Sequence, residues 1–386
     1  MSEKKKIEKK NWKSSFNLIG KPVINDFTYK LDERSEKSAW VYNALNLGIY
    51  CGEKYGSIWA EMMGGYSENG ENKIFCHGKD DDGNDDYKTQ IIVDFEDRFN
   101  DDVLEQIGDT SFITVGLEKT NKGKTFYKKF LSAYDAIIYI NEHLTEDMVV
   151  NVRGNLQYSI YNDNVQVRKK ITNIALSKVD DPADYKATFA QSILIDKDSA
   201  SFKNIDKDKG VMYIDTRVLD YVKEINGVEI KGQYPYNKTF EFAMDFSDEK
   251  NCKKIMDKLF KVKDGVTQIN MEGDFIESGA TVNTTWDDIP DEIKELVEMG
   301  IYKKEDALAS CAARGSRERR MVLTHPLITP ASENTLPFVQ KFEGQYEEED
   351  LIFDLNNDDE PYTDDEPPFD TDESSDSELS WLDALQ

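Results

Sequence analysis

From Glu343 to Gln386 the chain carries 18 acidic side chains and not one Lys or Arg, and a stretch of that composition cannot collapse on itself. Like charges repel, and the few apolar groups between them bury too little surface to offset chain entropy, so 342–386 is expected to be a disordered acidic tail. The whole chain sets 48 Lys and Arg against 76 Asp and Glu, for a net charge of −28, and without the tail the balance is −10. At 386 residues, 39% hydrophobic and 11% aromatic, it is long enough for two or three domains of about 150 residues, each with a buried core. No run approaches the roughly 20 apolar residues that cross a bilayer, and the start, MSEKKKIEKKNWK, lacks a signal-peptide core. A cytoplasmic protein is expected.

Apolar beads interrupt the tail: Leu351-Ile352-Phe353, Tyr362, Pro367-Pro368-Phe369, and then Leu379, Trp381, Leu382 and Leu385. Ser377 is placed to cap a last helical turn that sets Leu379, Leu382 and Leu385 on one side. An acidic peptide with such a tip suits a basic, apolar pocket on a partner protein, so Phe369, Leu379, Trp381, Leu382 and Leu385 are the expected partner-binding residues.

Ahead of the tail the dominant signal is strand. Short alternating runs rich in Val, Ile, Tyr, Trp and Phe stand at 15–30, 39–50, 57–66, 89–96 and 111–118, with a helix-or-strand ambiguity over 124–143. A second start follows at 148–161 and 164–178, then runs at 187–195, 210–222, 228–233, 238–246 and 266–276, broken by a helix at 248–261. Both 16–29 and 148–161 open apolar and meet a glycine, Gly20 and Gly154, which permits the bend that curls one strand around a small barrel. The expected organisation is a basic arm (1–14), a first OB-like β domain (15–146), a second (147–285), a helical segment (286–341) and the tail (342–386). Pro290 and Gly300 bracket the first helix of that segment, and its second ends in Arg314, Arg317, Arg319 and Arg320. The fold class is therefore mainly β (α+β): tandem OB-like barrels with a helical hairpin and a disordered tail.

Catalytic signatures are absent. There is no GxxxxGK[ST], no GxGxxG after a strand and no HExxH. Cys51, Cys76, Cys252 and Cys311 are scattered singly among three histidines, which gives no zinc spacing and points to reduced, buried thiols. The loop Asp80–Asp86 has its glycine too early for an EF-hand. No metal and no cofactor are expected. One enzyme reading remains in third place, a magnesium-dependent nuclease with Asp215 or Asp220 ahead of Glu229-Ile230-Lys231.

The binding reading draws on more of the chain. Trp40 and Tyr42 share a strand face and Trp59 stands on the next strand, while Tyr158 and Tyr161 lie near Arg153 and Arg168-Lys169-Lys170. Aromatics on a curved sheet stack bases, and cations such as Lys124, Lys128, Lys129, Arg317, Arg319 and Arg320 track phosphates. Gly-bent first strands, basic and aromatic residues on them, and a Pro-containing acidic tail with Asp364-Asp365-Glu366-Pro367-Pro368-Phe369 resemble the single-stranded-DNA-binding proteins of bacteria and their phages. That resemblance implies OB-fold barrels that grip the strand without catalysis and a tail that recruits replication or recombination enzymes, with a phage or mobile element as the fitting source. Single-stranded DNA, or RNA, is the expected ligand. The alternative from another class is a protein-interaction factor or DNA mimic acting through the tail.

Overall fold

In the computed structural model, residues 7–162, 164–225, 228–278, 318–331 and 336–352 are described, together with isolated positions between 289 and 304. The first half of the chain holds β1 (Ser14–Val23), β2 (Tyr29–Arg34), β3 (Trp40–Tyr50), β4 (Ser57–Ser67), β5 (Lys73–Lys79), β6 (Asp85–Asp94) and a short α1 (Asp101–Leu104). It continues with β7 (Ile113–Lys119), β8 (Thr125–Phe130), α2 (Ala133–His143), β9 (Val150–Tyr161) and β10 (Asn164–Leu176). The ambiguous 124–143 stretch thus resolves into a strand and a helix. Its break falls at Ser132, whose hydroxyl accepts from the Tyr134 N–H and caps α2.

Five of these strands close on themselves. β1 pairs antiparallel with β3 through Lys21–Val23, β3 with β4, β4 runs parallel to β10 at Glu61 and Lys170, β10 returns to β9, and β9 pairs with β1. Such a closed five-strand barrel is consistent with an OB-like fold. Its interior is the strand face bearing Phe16, Leu18, Leu45, Leu47, Ile49, Ile58, Val152 and Ile174, and α2 adds Ala136, Ile137 and Ile140 to the same core. Gly20 and Gly154, where bends are expected, both lie at close approaches of a neighbouring strand. A Cβ at either would collide with a backbone carbonyl, that of Tyr50 or of Lys170.

The strand expected to open a second domain at 148–161 is β9, which belongs to this first ring. Sequence similarity to β1 cannot say which edge a strand pairs with, and both of β9's edges are taken by β1 and β10. The ring therefore runs past 146 to Leu176. Beyond it lie β11 (Lys186–Ile195), β12 (Ala200–Asp206), β13 (Val211–Ile225), β14 (Val228–Ala243), α3 (Glu249–Leu259), β15 (Thr267–Ser278) and β16 (Glu318–Pro326). Their pairings form a cycle of the same order: β11 with β13, β13 with β14, β14 parallel to β16, β16 with β15, and β15 with β11. β1 and β11 pair with each other through Ser14–Ile19 and Lys186–Gln191, joining both cycles into one sheet of 15 strands among the described residues, while β5 and β6 pair apart from it.

Three departures from expectation remain. Arg319 and Arg320 lie on strand β16, not at a helix end; the rest of the helical hairpin expected over 287–320 lies almost wholly outside the described residues. The fold does not end near 340, because Tyr346 and Leu351 are buried with Leu194, Leu219, Val266 and the N-terminal Ile7. Residues 68–112 form an excursion from the first ring with its own small core of Cys76, Val93, Ile107, Phe112 and Leu131. No described helix is long and apolar enough to cross a membrane.

The close approach at Gly154 generates a test. Gly154→Ala is expected to lower stability by about 1–3 kcal/mol or more, read as a drop in the urea midpoint. Gly70→Ala, whose added Cβ would meet only Ser67 at an ordinary contact distance of 3.7 Å, should stay within about 0.5 kcal/mol; equal effects would refute the crossing as the cause.

Candidate nucleic-acid interface

Alternation fixes which side chains leave the first barrel. With Leu45, Leu47 and Ile49 of β3 and Ile58, Ala60 and Met62 of β4 inside, the outer face is written by Asn46, Gly48, Trp59, Glu61 and Met63. Gly48 pairs with Trp59, and the indole lies against it: a Cβ at Gly48 would be 3.1–3.2 Å from Cη2, Cζ2 and Cζ3. On β10, Lys170 stands opposite Glu61 and pairs with it at 2.7 Å. Because these strands run parallel, Arg168 and Trp59 are each two residues back from that pair. The Nε1 donors of Trp59 and Trp40 are buried and have no hydrogen-bond partner among the described residues.

The other expected contact residues divide. Tyr161 is 46% exposed at the β9–β10 tip, beside Ile160 at 37%, and Arg153 is exposed with its Nε donating to Asn151 Oδ1 at 3.1 Å. Tyr158 is not a contact residue. Its parity matches Gly154 and Leu156, so it is buried, donating to Gln191 Oε1 at 2.9 Å while its N–H donates to Asp220 Oδ2 at 2.8 Å. Tyr42, only 8% exposed, is likewise largely withdrawn. Lys169 has the inward parity of Ile171; its Nζ sits 5.0 Å over the Phe275 ring where the two halves meet. Desolvation pushes this ammonium below the ordinary lysine range even though Glu277 is near. Arg319 faces Glu277 at 3.5 Å, and Arg320 Nε donates to Glu241 at 2.7 Å, so both hold β16 in place. Arg317, Phe369, Leu379, Trp381, Leu382 and Leu385 lie outside the described residues.

The β7–β8 hairpin presents Lys119, Lys122, Lys124, Lys128 and Lys129 as exposed side chains, with Phe126 and Tyr127 about half exposed between them. Lys129 pairs with Asp109 at 2.9 Å and Lys128 lies 4.7 Å over the Tyr139 ring, whereas Lys119, Lys122 and Lys124 ring the turn at the tip. Sequence reasoning missed Tyr127, although its signal was present in the aromatic pair Phe126-Tyr127 set between Lys124 and Lys128-Lys129. It also missed that the excursion, residues 68–112, holds 14 acidic and 4 basic side chains. That charge of −10 equals the whole imbalance of the chain ahead of the tail, so the rest of the sequence before residue 342 carries no net charge.

No protein-family model matches the chain, and no curated protein matches it.

Nuclease residues are not brought together. Asp215 faces Thr239, while Glu229 faces Glu224 nine residues further along β13, about 30 Å away. Asp220 is engaged by Lys9 at 3.1 Å and by the Tyr158 N–H, and Glu229 pairs with its neighbour Lys231 at 2.5 Å. Among the described residues, no group of three or more His, Cys, Asp or Glu side chains is placed to hold a metal. In the Asp80–Asp86 loop, Asp80 Oδ1 accepts from the N–H groups of Asp82 and Asn84, a self-bracing turn.

Cys51, Cys76 and Cys252 are buried free thiols. Burial pushes Cys51 up to about 12 and Cys76 up to about 11, and raises Cys252 as well. An acid whose folded-state value lies above the unfolded one, about 8.5 for a thiol, adds stability below that pH and loses it as pH rises toward the folded value. The expected outcome is a urea midpoint that falls from about pH 8.5 upward, and thiol labelling of these three sites at pH near 8 that waits for unfolding. Site-resolved mass spectrometry showing rapid labelling of all three in the native protein would contradict their burial.

Proposed function

We propose that the chain is a non-catalytic single-stranded-DNA-binding protein built on two OB-like barrels, serving phage or mobile-element DNA replication or recombination, with a tail that recruits partner proteins. The two pairing cycles support the tandem reading. Each has its parallel contact between third and fifth strands, a helix between third and fourth, and an added strand, β2 or β12, on the second.

One observation carries the ligand. Trp59 lies over Gly48 on the outer face of a closed barrel, with Arg168 and the Lys170–Glu61 pair on the adjoining strand. OB folds bind oligonucleotides on this strand 2–3 face. A base stacks on the indole, and its sugar-phosphate chain runs past Arg168. Net charge is no obstacle to this, because the excess of negative charge lies in two segments of the sequence, the tail and the 68–112 excursion, and salt screens exposed charges over about 8–10 Å. The acidic excursion also favours a second reading, a protein-interaction factor that engages a basic groove; retention on a basic protein with no oligonucleotide affinity would select it.

The test is anisotropy with labelled oligo-dT. Trp59→Ala is expected to weaken binding by about 5- to 150-fold, the effect of about 1–3 kcal/mol of lost stacking. Arg168→Ala should reduce the steepness of the salt dependence by about 0.7 in log–log slope. Lys169→Met, at the junction between the halves, should leave affinity within about twofold, since its desolvated ammonium faces away from the strand. Trp59→Ala binding as tightly as the unaltered protein would refute the site.

A further inference from the structure

Resting on the strand-binding reading above, we infer that a single strand is held by the first ring alone and leaves it along the β7–β8 hairpin, where Tyr127 is the next stacking platform.

The second ring lacks the equipment at the matching place. In each ring a glutamate on the third strand marks the parallel contact with the fifth, Glu61 against Lys170 and Glu241 against Val322. Two residues earlier stand Trp59 and Thr239, whose partners on the second strand are Gly48 and Asp215. Where the first ring has an indole over a glycine, the second therefore has a threonine hydroxyl donating to Asp215 at 2.6 Å. The shallow cleft beside it, about 220 Å³, is lined by Asp196 and Asp215, and its Arg217 is turned to Asp196 at 3.4 Å. Arg320, two residues before the parallel contact as Arg168 is in the first ring, is spent on Glu241. Lys238 also lines the cleft, but the two carboxylates offset it and Arg217, and among the described residues lining it no aromatic ring is present to stack a base.

The hairpin, by contrast, continues the sheet that carries Trp59. β4 pairs with β10 at Lys170, and β7 takes up the same edge of β10 from Asn173 to Ala175. β8 follows as the last strand of the sheet. Tyr127 stands over Gly116, opposite Ala175, and is 54% exposed. Seven residues along β10 and one strand spacing separate it from Trp59, about 24 Å, a span suited to the roughly 4–16 nucleotides that one OB fold covers. Lys119, Lys122 and Lys124 at the tip supply phosphate contacts, while Asp109 and the acidic excursion behind Lys129 close off the other flank.

Two lengths of oligo-dT, about 6 and about 20 nucleotides, test this with the full-length protein. Tyr127→Ala and the double change Lys122→Ala/Lys124→Ala should each weaken the longer oligonucleotide by about 5- to 100-fold and the shorter one by no more than about twofold. Arg217→Ala should alter neither. A hairpin variant that keeps full affinity for the longer strand, while the unaltered protein binds both, would overturn the exit path and leave the Trp59 site standing. Weakening by Arg217→Ala would overturn the exclusion of the second ring, and an unaltered protein that binds neither length would overturn both readings. Photocrosslinking of the unaltered protein to 4-thiothymidine oligonucleotides avoids any folding defect: adducts are expected in 119–129, and adducts confined to 194–217 and 237–239 would contradict the path.

Discussion

Everything in this fold hangs on how β1 is shared. Residues 15–19 are paired on both edges, to β9 and to β11, and only after Gly20 does the strand reach β3 through Lys21–Val23. That handover closes the first ring and ties it to the second in a single step. It also sets parity: with Phe16 and Leu18 inward, β9, β10 and β4 have no freedom in which side chains they turn outward, since a one-residue slip would exchange the faces. The position of Trp59 outside the barrel, and of Tyr158 inside it, follows from the same register.

Electrostatics then sorts the surface. A chain at −28 has no business near a polyanion if the charge is spread evenly, but here the tail and one excursion account for all of it. The excursion leaves the ring after β4 and returns before α2, so it sits on the hairpin side, where Lys129 meets Asp109. The N-terminal segment meets the root of the tail on the second ring, where the Lys10 N–H donates to the Tyr346 hydroxyl and Ile7 packs with Leu351. The first and last described segments are thus both anchored on the second ring.

Local pattern made much of this legible and topology did not. Alternation located β3, β4, β11 and β13, helical spacing located α3 around the buried Cys252, and the close-approach positions Gly20 and Gly154 were visible as glycines after apolar openings. What stayed hidden was pairing. β4 meets β10 across the entire excursion, the β7–β8 hairpin and α2, and no local feature of Glu61 or Lys170 announces that contact. Lys169 and Tyr158 were misplaced for a simpler reason, since counting parity from Gly154 and Ile171 would have sent both inward. Arg319 and Arg320 read as a helix end because the charged run continues without a break into β16, whose apolar face, Val322 and Leu323, starts only afterwards.

The most direct measurement is tryptophan fluorescence during titration with oligo-dT of about 30 nucleotides, for the full chain and for one ending at Ile352, which keeps Tyr346 and Leu351 in place. The account predicts saturable quenching by both chains, with log affinity falling linearly as log salt rises, by about 0.7 per phosphate contact. Absence of quenching and of binding by either chain at low salt would contradict it and leave the acidic surfaces as the functional ones.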